Sequence, residues 1–210
     1  MGHRPKLLPD AIVRFLLILA LASIAGCSKP PKLPALAADA VVLAFGDSLT
    51  FGTGAGEDES YPAELSRLIG RKVVRAGVPG EVSAEGLKRL PEALDEHEPR
   101  LLVLCHGGND LLRRFSKQQV AANVRAMIRL AKSRGVDVVL IGTPEPGLTV
   151  TPPEFYAEVA REFGIPYESG VIGKILRDAS LKSDPIHPNA RGYRMLAEQV
   201  AALLKQSGAL

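Results

Sequence analysis

The sequence predicts an α/β protein: a five-stranded parallel sheet in a flavodoxin-like, three-layer α/β/α arrangement. Three observations carry this. Apolar runs of strand length alternate with amphipathic stretches of helical length, and repeated β-α units argue for a parallel sheet with helices on both faces. The 210 residues are 46% hydrophobic and 23% charged, a globular composition with length enough for one well-buried core. The run Val41-Val42-Leu43-Ala44-Phe45 stops abruptly at Gly46-Asp47-Ser48-Leu49-Thr50, and the Gly-rich Phe51-Gly52-Thr53-Gly54-Ala55-Gly56 follows. That pattern reads as a buried strand breaking into a tight turn.

In chain order, residues 1–26 come first and read as an address. A basic start leads into Phe15-Leu16-Leu17-Ile18-Leu19-Ala20-Leu21 and then Ala22-Ser23-Ile24-Ala25-Gly26. The apolar stretch is short for a bilayer span and has the proportions of a signal h-region. Ile24-Ala25-Gly26-Cys27 resembles the lipobox of bacterial lipoproteins. That resemblance implies lipidation of Cys27, which becomes the mature N-terminus of a membrane-anchored protein of the cell envelope. The plain alternative is an ordinary secretory signal with an incidental cysteine. Residues 27–40, with Lys29-Pro30-Pro31-Lys32-Leu33-Pro34 and then Ala-rich sequence, read as a semi-extended tether. The domain is then 41–210.

Within the domain the strands are expected at 41–45, 72–75, 101–105, 136–141 and 166–168. The helices are expected at 61–69, 84–96, 117–134, 153–163 and 188–205. Gly135 suits the stop of the third helix, and Pro188 the first turn of the last.

Charge excludes some partners. The formal net charge is +3. Arg4, Lys6 and Arg14 against Asp10 place +2 of it in residues 1–26 and leave +1 for the rest. With no basic block, few aromatics and no Trp, nucleic acid is not an expected partner. Gly52 to Gly56 is not a dinucleotide fingerprint, because Glu57 breaks the spacing. No Cys/His cluster has zinc spacing, and no cofactor is expected. Cys105, in an apolar strand, reads as a small buried hydrophobe.

In open α/β sheets ligands sit at the carboxyl ends of strands, which is where Ser48 falls. As a nucleophile it needs a general base. Of the four histidines, His3 belongs to the N-terminal segment, His97 sits in charged sequence and His106 precedes Gly107-Gly108. His187 alone has a carboxylate at a spacing that suggests a built pair, in Asp184-Pro185-Ile186-His187-Pro188-Asn189. The prolines disfavour helix there, so Asp184 and His187 lie on one side of a tight turn, with one ring nitrogen left for Ser48. Taken alone, Asp-x-x-His reads more readily as a surface turn. Oxyanion donors should follow other strands at the same edge. Ala76-Gly77-Val78-Pro79-Gly80-Glu81 follows the second strand and Gly107-Gly108-Asn109-Asp110 the third. Asp47 and Asp110 are expected to orient loops. Leu111-Leu112-Arg113-Arg114-Phe115 reads either as the wall of an acyl pocket or as core leucines with solvated arginines.

These blocks together resemble the SGNH (GDSL) hydrolase family, and most of all its small thioesterase/lysophospholipase/arylesterase branch. Gly46-Asp47-Ser48-Leu49 matches the first block, Val78-Pro79-Gly80 the second, Gly107-Gly108-Asn109-Asp110 the third, and Asp184-Pro185-Ile186-His187-Pro188-Asn189 the fifth. The resemblance implies the SGNH hydrolase fold, with Ser48 as nucleophile, His187 as base and Asp184 as its orienter. It also implies an oxyanion hole made of the Ser48 and Gly80 N–H groups and the Asn109 side chain. Arg75 and Glu81 depart from residues common in relatives, often Asn and Asp. The α/β-hydrolase elbow Gly-x-Ser-x-Gly is absent, Thr50 holding its last position. The expected activity is hydrolysis of short- to medium-chain acyl esters, thioesters or lysophospholipids, by a monomer. The alternatives are a carbohydrate O-deacetylase with the same machinery and a non-catalytic lipoprotein that binds through the cleft.

Overall fold

A computed structural model describes residues 31–147 and 149–210. Residues 1–26, read above as a signal segment, with His3, and Cys27, lie outside the described residues. Five parallel strands run in the order β2-β1-β3-β4-β5: β1 Val41–Gly46, β2 Lys72–Gly77, β3 Leu101–Cys105, β4 Asp137–Ile141 and β5 Tyr167–Glu168. This is the flavodoxin-like order, and its switch point lies between β1 and β3.

Alternation along each strand sorts the side chains into two cores. Leu43, Phe45, Leu102, Leu104, Val138 and Leu140 face one side. Helices α3 (Ser83–His97), α5 (Lys117–Ser133) and α6 (Phe155–Phe163) cover it. Val42, Ala44, Leu101, Val103, Val139 and Ile141 face the other side. Helices α2 (Tyr61–Ile69), α7 (Val171–Arg177) and α8 (Ala190–Ser207) cover that one. The central strands β1, β3 and β4 are buried on both faces, which is why they read as apolar runs rather than alternating ones, whereas the edge strand β2 is only partly buried.

Two short helices sit at the carboxyl edge, α1 (Ser48–Phe51) and α4 (Gly108–Leu112). Single turns of this length carry no periodicity, so no sequence pattern announces them. The last helix begins at Ala190 rather than 188. Asn189 is its N-cap, with the side chain accepting from Gly192 N–H at 3.1 Å. A capping asparagine next to Pro188 outweighs the preference of proline for the first turn. Gly135, at φ 72°, follows α5 as expected.

The described part of the 27–40 segment is docked on the domain. Leu33 N–H donates to Ser207 O at 2.8 Å and Leu36 N–H to Ala209 O at 2.9 Å. Both leucines pack on the second core, and Arg71 donates to the Ala37 carbonyl at 2.7 Å. Two leucines give a Pro/Ala stretch enough apolar surface to bind along the end of α8.

Candidate active site

Ser48 is the first residue of α1 and sits directly beyond β1. Asp47 caps this helix, its Oδ1 accepting Leu49 N–H at 3.1 Å. Burial pushes the Asp47 carboxyl above its ordinary value, against the opposing pull of His106 and the Leu49 N–H. Asp110 also holds a loop: its two oxygens accept the Ser83 N–H at 2.8 Å and the Ser83 hydroxyl at 2.6 Å. That ties α4 to the start of α3. Both carboxylates orient loops, as their sequence context suggests.

His187 Nε2 lies 3.0 Å from Ser48 Oγ across 139 residues of chain. His187 Nδ1 lies 2.7 Å from Asp184 Oδ2. Asp184 Oδ1 accepts two backbone N–H groups, Ile186 at 2.8 Å and His187 at 2.9 Å. The carboxylate therefore fixes both the ring and the turn that carries it. Burial works to raise the Asp184 carboxyl, but the His187 ring and these N–H groups outweigh it and hold the group below its ordinary value. A charged Asp184 accepts a hydrogen bond from the Nδ1–H, which keeps that proton on Nδ1 and leaves Nε2 as acceptor for the Ser48 hydroxyl. The turn is pinned from behind: Ser183 N–H donates to His187 O at 3.0 Å, and Asn189 N–H to Leu181 O at 3.0 Å.

The donors expected for an oxyanion are placed unequally. Asn109 lines the cleft beside Ser48, and its Nδ2 donates to the Glu81 carbonyl at 3.0 Å. An amide nitrogen has two N–H groups, so one is spent and one is free to act. Gly80 does not line the cleft. It occupies the Val78–Glu81 turn at φ 79°, a conformation that favours glycine, and its carbonyl accepts Arg113 at 3.0 Å. The turn is joined to β1 through Val78 N–H and Gly46 O at 3.1 Å. Among the described residues neither the Ser48 nor the Gly80 N–H meets an internal acceptor.

The two departures from the family pattern are both engaged. Arg75 donates to Phe51 O at 2.7 Å and pairs with Glu57 at 2.7 Å, bracing the loop after α1. Glu81 is buried against Arg89 and His106. Burial alone raises a carboxyl, but the Arg89 and His106 hydrogen bonds prevail and pull Glu81 down to about 2. His106, in the loop after β3, is therefore a buried partner of Glu81. Cys105 is fully buried and free, and burial pushes its thiol up.

A cavity of about 300 Å³ opens at Ser48. Leu49, Leu112, Pro144, Val150, Ile172 and Leu176 give it a mainly apolar wall, and Ile186 and His187 flank it. The 111–115 stretch divides: Leu111 is core, while Leu112 is exposed at the cavity and Arg113 braces Gly80. The walls from α7, residues 143–147 and Val150 had no local signal in the sequence, because they reach the cleft only through the fold. Among the described residues no group of three His, Cys, Asp or Glu side chains is placed to hold a metal ion.

Comparison with known proteins agrees with this architecture. Residues 44–195 match the GDSL-like Lipase/Acylhydrolase family. Thioesterase 1/protease 1/lysophospholipase L1 of Escherichia coli K12 is 30% identical over 179 residues, covering 81% of this chain and 86% of that protein. Esterase TesA of Pseudomonas aeruginosa is 29% identical over 197 residues, covering 87% and 96%. The crystal structure of TesA superposes with a TM-score of 0.70 at 28% identity, covering 79% of this chain and 98% of that one.

Proposed function

The chain belongs to the GDSL-like lipase/acylhydrolase family and is an esterase, and from that premise we propose that it hydrolyses short- to medium-chain acyl esters through an acyl-enzyme on Ser48. Thioesters and lysophospholipids fall in the same class of substrate. Esterase TesA and the E. coli thioesterase/lysophospholipase are relatives with such names. The observation that carries the reading is the chain of two hydrogen bonds, Ser48 Oγ to His187 Nε2 at 3.0 Å and His187 Nδ1 to Asp184 at 2.7 Å.

In this reading Ser48 Oγ attacks the ester carbonyl as His187 takes its proton, and the carbonyl oxygen gains charge. The Asn109 amide and the Ser48 N–H, both at the cavity, receive that charge. His187, now doubly protonated and facing Asp184, gives its proton to the leaving alcohol or thiol. Water then enters and its oxygen attacks the acyl carbon as His187 takes one of its protons; the bond to Ser48 Oγ breaks, that proton passes to Oγ, and the acid leaves. The apolar wall of the cavity suits an acyl chain better than a sugar, which favours an acyl esterase over a carbohydrate O-deacetylase.

A panel of nitrophenyl esters of increasing acyl length tests this. Hydrolysis is expected for short and medium chains, with Ser48→Ala lowering kcat by at least about 10³-fold. A Ser48→Ala protein that matches wild type, or a protein that releases acetate from glycans and ignores the esters, contradicts the proposal. Extending the same reading, we propose that Cys27 carries the lipid that anchors the protein at the cell envelope. Mass analysis of the protein's mature N-terminus in its native host should find acylated Cys27, and an unmodified one contradicts it.

A further inference from the structure

Glu81 acts at two ends. Its backbone carbonyl accepts the Asn109 amide at 3.0 Å. Its carboxylate, 6% exposed, takes a two-pronged contact from Arg89, Nε to Oε1 at 2.8 Å and Nη2 to Oε2 at 2.7 Å. His106 Nε2 meets the same Oε2 at 3.0 Å. The Arg89 guanidinium also reaches the Ala76 carbonyl at 3.3 Å and lies 4.1 Å over the ring of Phe45. His106 directly follows β3, and its Nδ1 accepts Gly107 N–H at 2.9 Å. That contact makes Nε2 the protonated nitrogen, so the ring donates to Glu81. One carboxylate thus gathers the ends of three neighbouring strands: β1 through Phe45, β2 through Ala76 and β3 through His106.

The other three residues of the turn that carries the Glu81 carbonyl, Val78, Pro79 and Gly80, are exposed. Their packing cannot locate it. The buried side chain of Glu81 supplies the fixed point. None of Glu81, Arg89 and His106 lines the cavity at Ser48, and the link from the group to the cavity runs through Asn109.

We propose that Glu81, clamped by Arg89 and His106, is a positioning residue that sets the direction of the Asn109 amide toward the reacting carbonyl. The proposal rests on the reading of Asn109 as an oxyanion donor. One Asn109 N–H bound to a fixed carbonyl leaves the second pre-aimed, and a pre-aimed donor has no reorganisation to undergo when charge develops. The Glu81–His106 pair spans 25 residues and two strand ends, so this is a three-dimensional constellation and not a local motif.

A double-mutant cycle on ester hydrolysis tests it. Glu81→Gln removes the charge at nearly constant volume. In the wild-type background it should lower kcat on the order of tenfold, with KM within about twofold. In the Asn109→Ala background, the same change should cost less than about twofold, because the group it positions is gone. Equal losses in the two backgrounds, no loss in kcat, or a loss confined to KM overturns the proposal. If Glu81→Gln does not fold, His106→Leu takes its place in the cycle with the same outcomes. Ser48→Ala and Asn109→Ala separate the failures. An active Ser48→Ala protein defeats the esterase mechanism itself, a fully active Asn109→Ala protein defeats the oxyanion premise and this proposal with it, and an uncoupled Glu81→Gln defeats the positioning role alone.

Discussion

At the scale of single residues, Asp184 uses both of its oxygens on His187 and its turn: one holds the ring and the other holds the backbone of Ile186 and His187. Asp184→Asn breaks that division. An amide that keeps an oxygen toward the backbone N–H groups turns its own N–H toward Nδ1. The ring then carries its proton on Nε2, facing the Ser48 hydroxyl with a donor instead of an acceptor. The flipped amide sets two donors against the backbone donors instead. Either way kcat should fall on the order of 10³-fold with the fold intact, as read by steady-state hydrolysis of a nitrophenyl ester alongside circular dichroism. Asp184 and His187 were legible because three residues and two prolines make the pair local. Ser48 was legible because a glycine-rich turn follows an apolar strand. The Glu81–His106 pair was not, because the sequence shows only an acidic residue in one turn and a histidine before another. Nothing local says that they meet.

At the scale of elements, helix α3 must pass close to the end of β3. Gly86, in its first turns, lies against the His106 ring: a β-carbon there would stand 2.2 Å from Nε2. The ring is buried and hydrogen-bonded at both nitrogens, so it has no room to withdraw. Gly86→Ala should destabilise the protein by about 1–3 kcal/mol by denaturant midpoint, despite the better helix propensity of alanine. A midpoint at or above wild type would show that α3 moves freely. The longer elements were legible from period and length, and Gly135 marks its helix end correctly. Pro188 misled by two residues, since Asn189 makes the stronger cap. Helices α1, α4 and α7 were missed because they are too short to show a period and are held by caps and tertiary contacts. Asp47 caps α1, Asp110 ties α4 to Ser83, and α7 buries Val171, Ile172 and Ile175 in the second core.

At the scale of the molecule, strand order places Ser48 after β1 and Asn109 after β3, on the two sides of the switch point. The cleft is therefore a consequence of topology, and the alternation of β and α units made it legible. Docking of residues 31–40 along the end of α8 was not legible, since it depends on Leu33 and Leu36 meeting a surface assembled from distant chain. The buried Glu81 cluster also gives the whole fold a pH dependence. The Glu81 carboxyl sits at about 2 in the fold against 4.5 ordinarily. A depressed value means that its stabilisation is fully present above about pH 4.5 and is lost as pH falls toward 2. The thermal midpoint of wild type should fall across this window more steeply than that of Glu81→Gln, which should start lower at pH 7 because Arg89 and His106 lose a charged partner. Parallel curves would place the acid sensitivity elsewhere.

The central claim is that the Ser48 hydroxyl is activated by His187. Labelling with a fluorophosphonate, followed by peptide mass analysis, tests it most directly. The account predicts one adduct per chain, at Ser48, formed rapidly in wild type and slowed at least about 10³-fold in His187→Ala. An adduct at another residue, or Ser48 labelling at an unchanged rate without the imidazole, would contradict it.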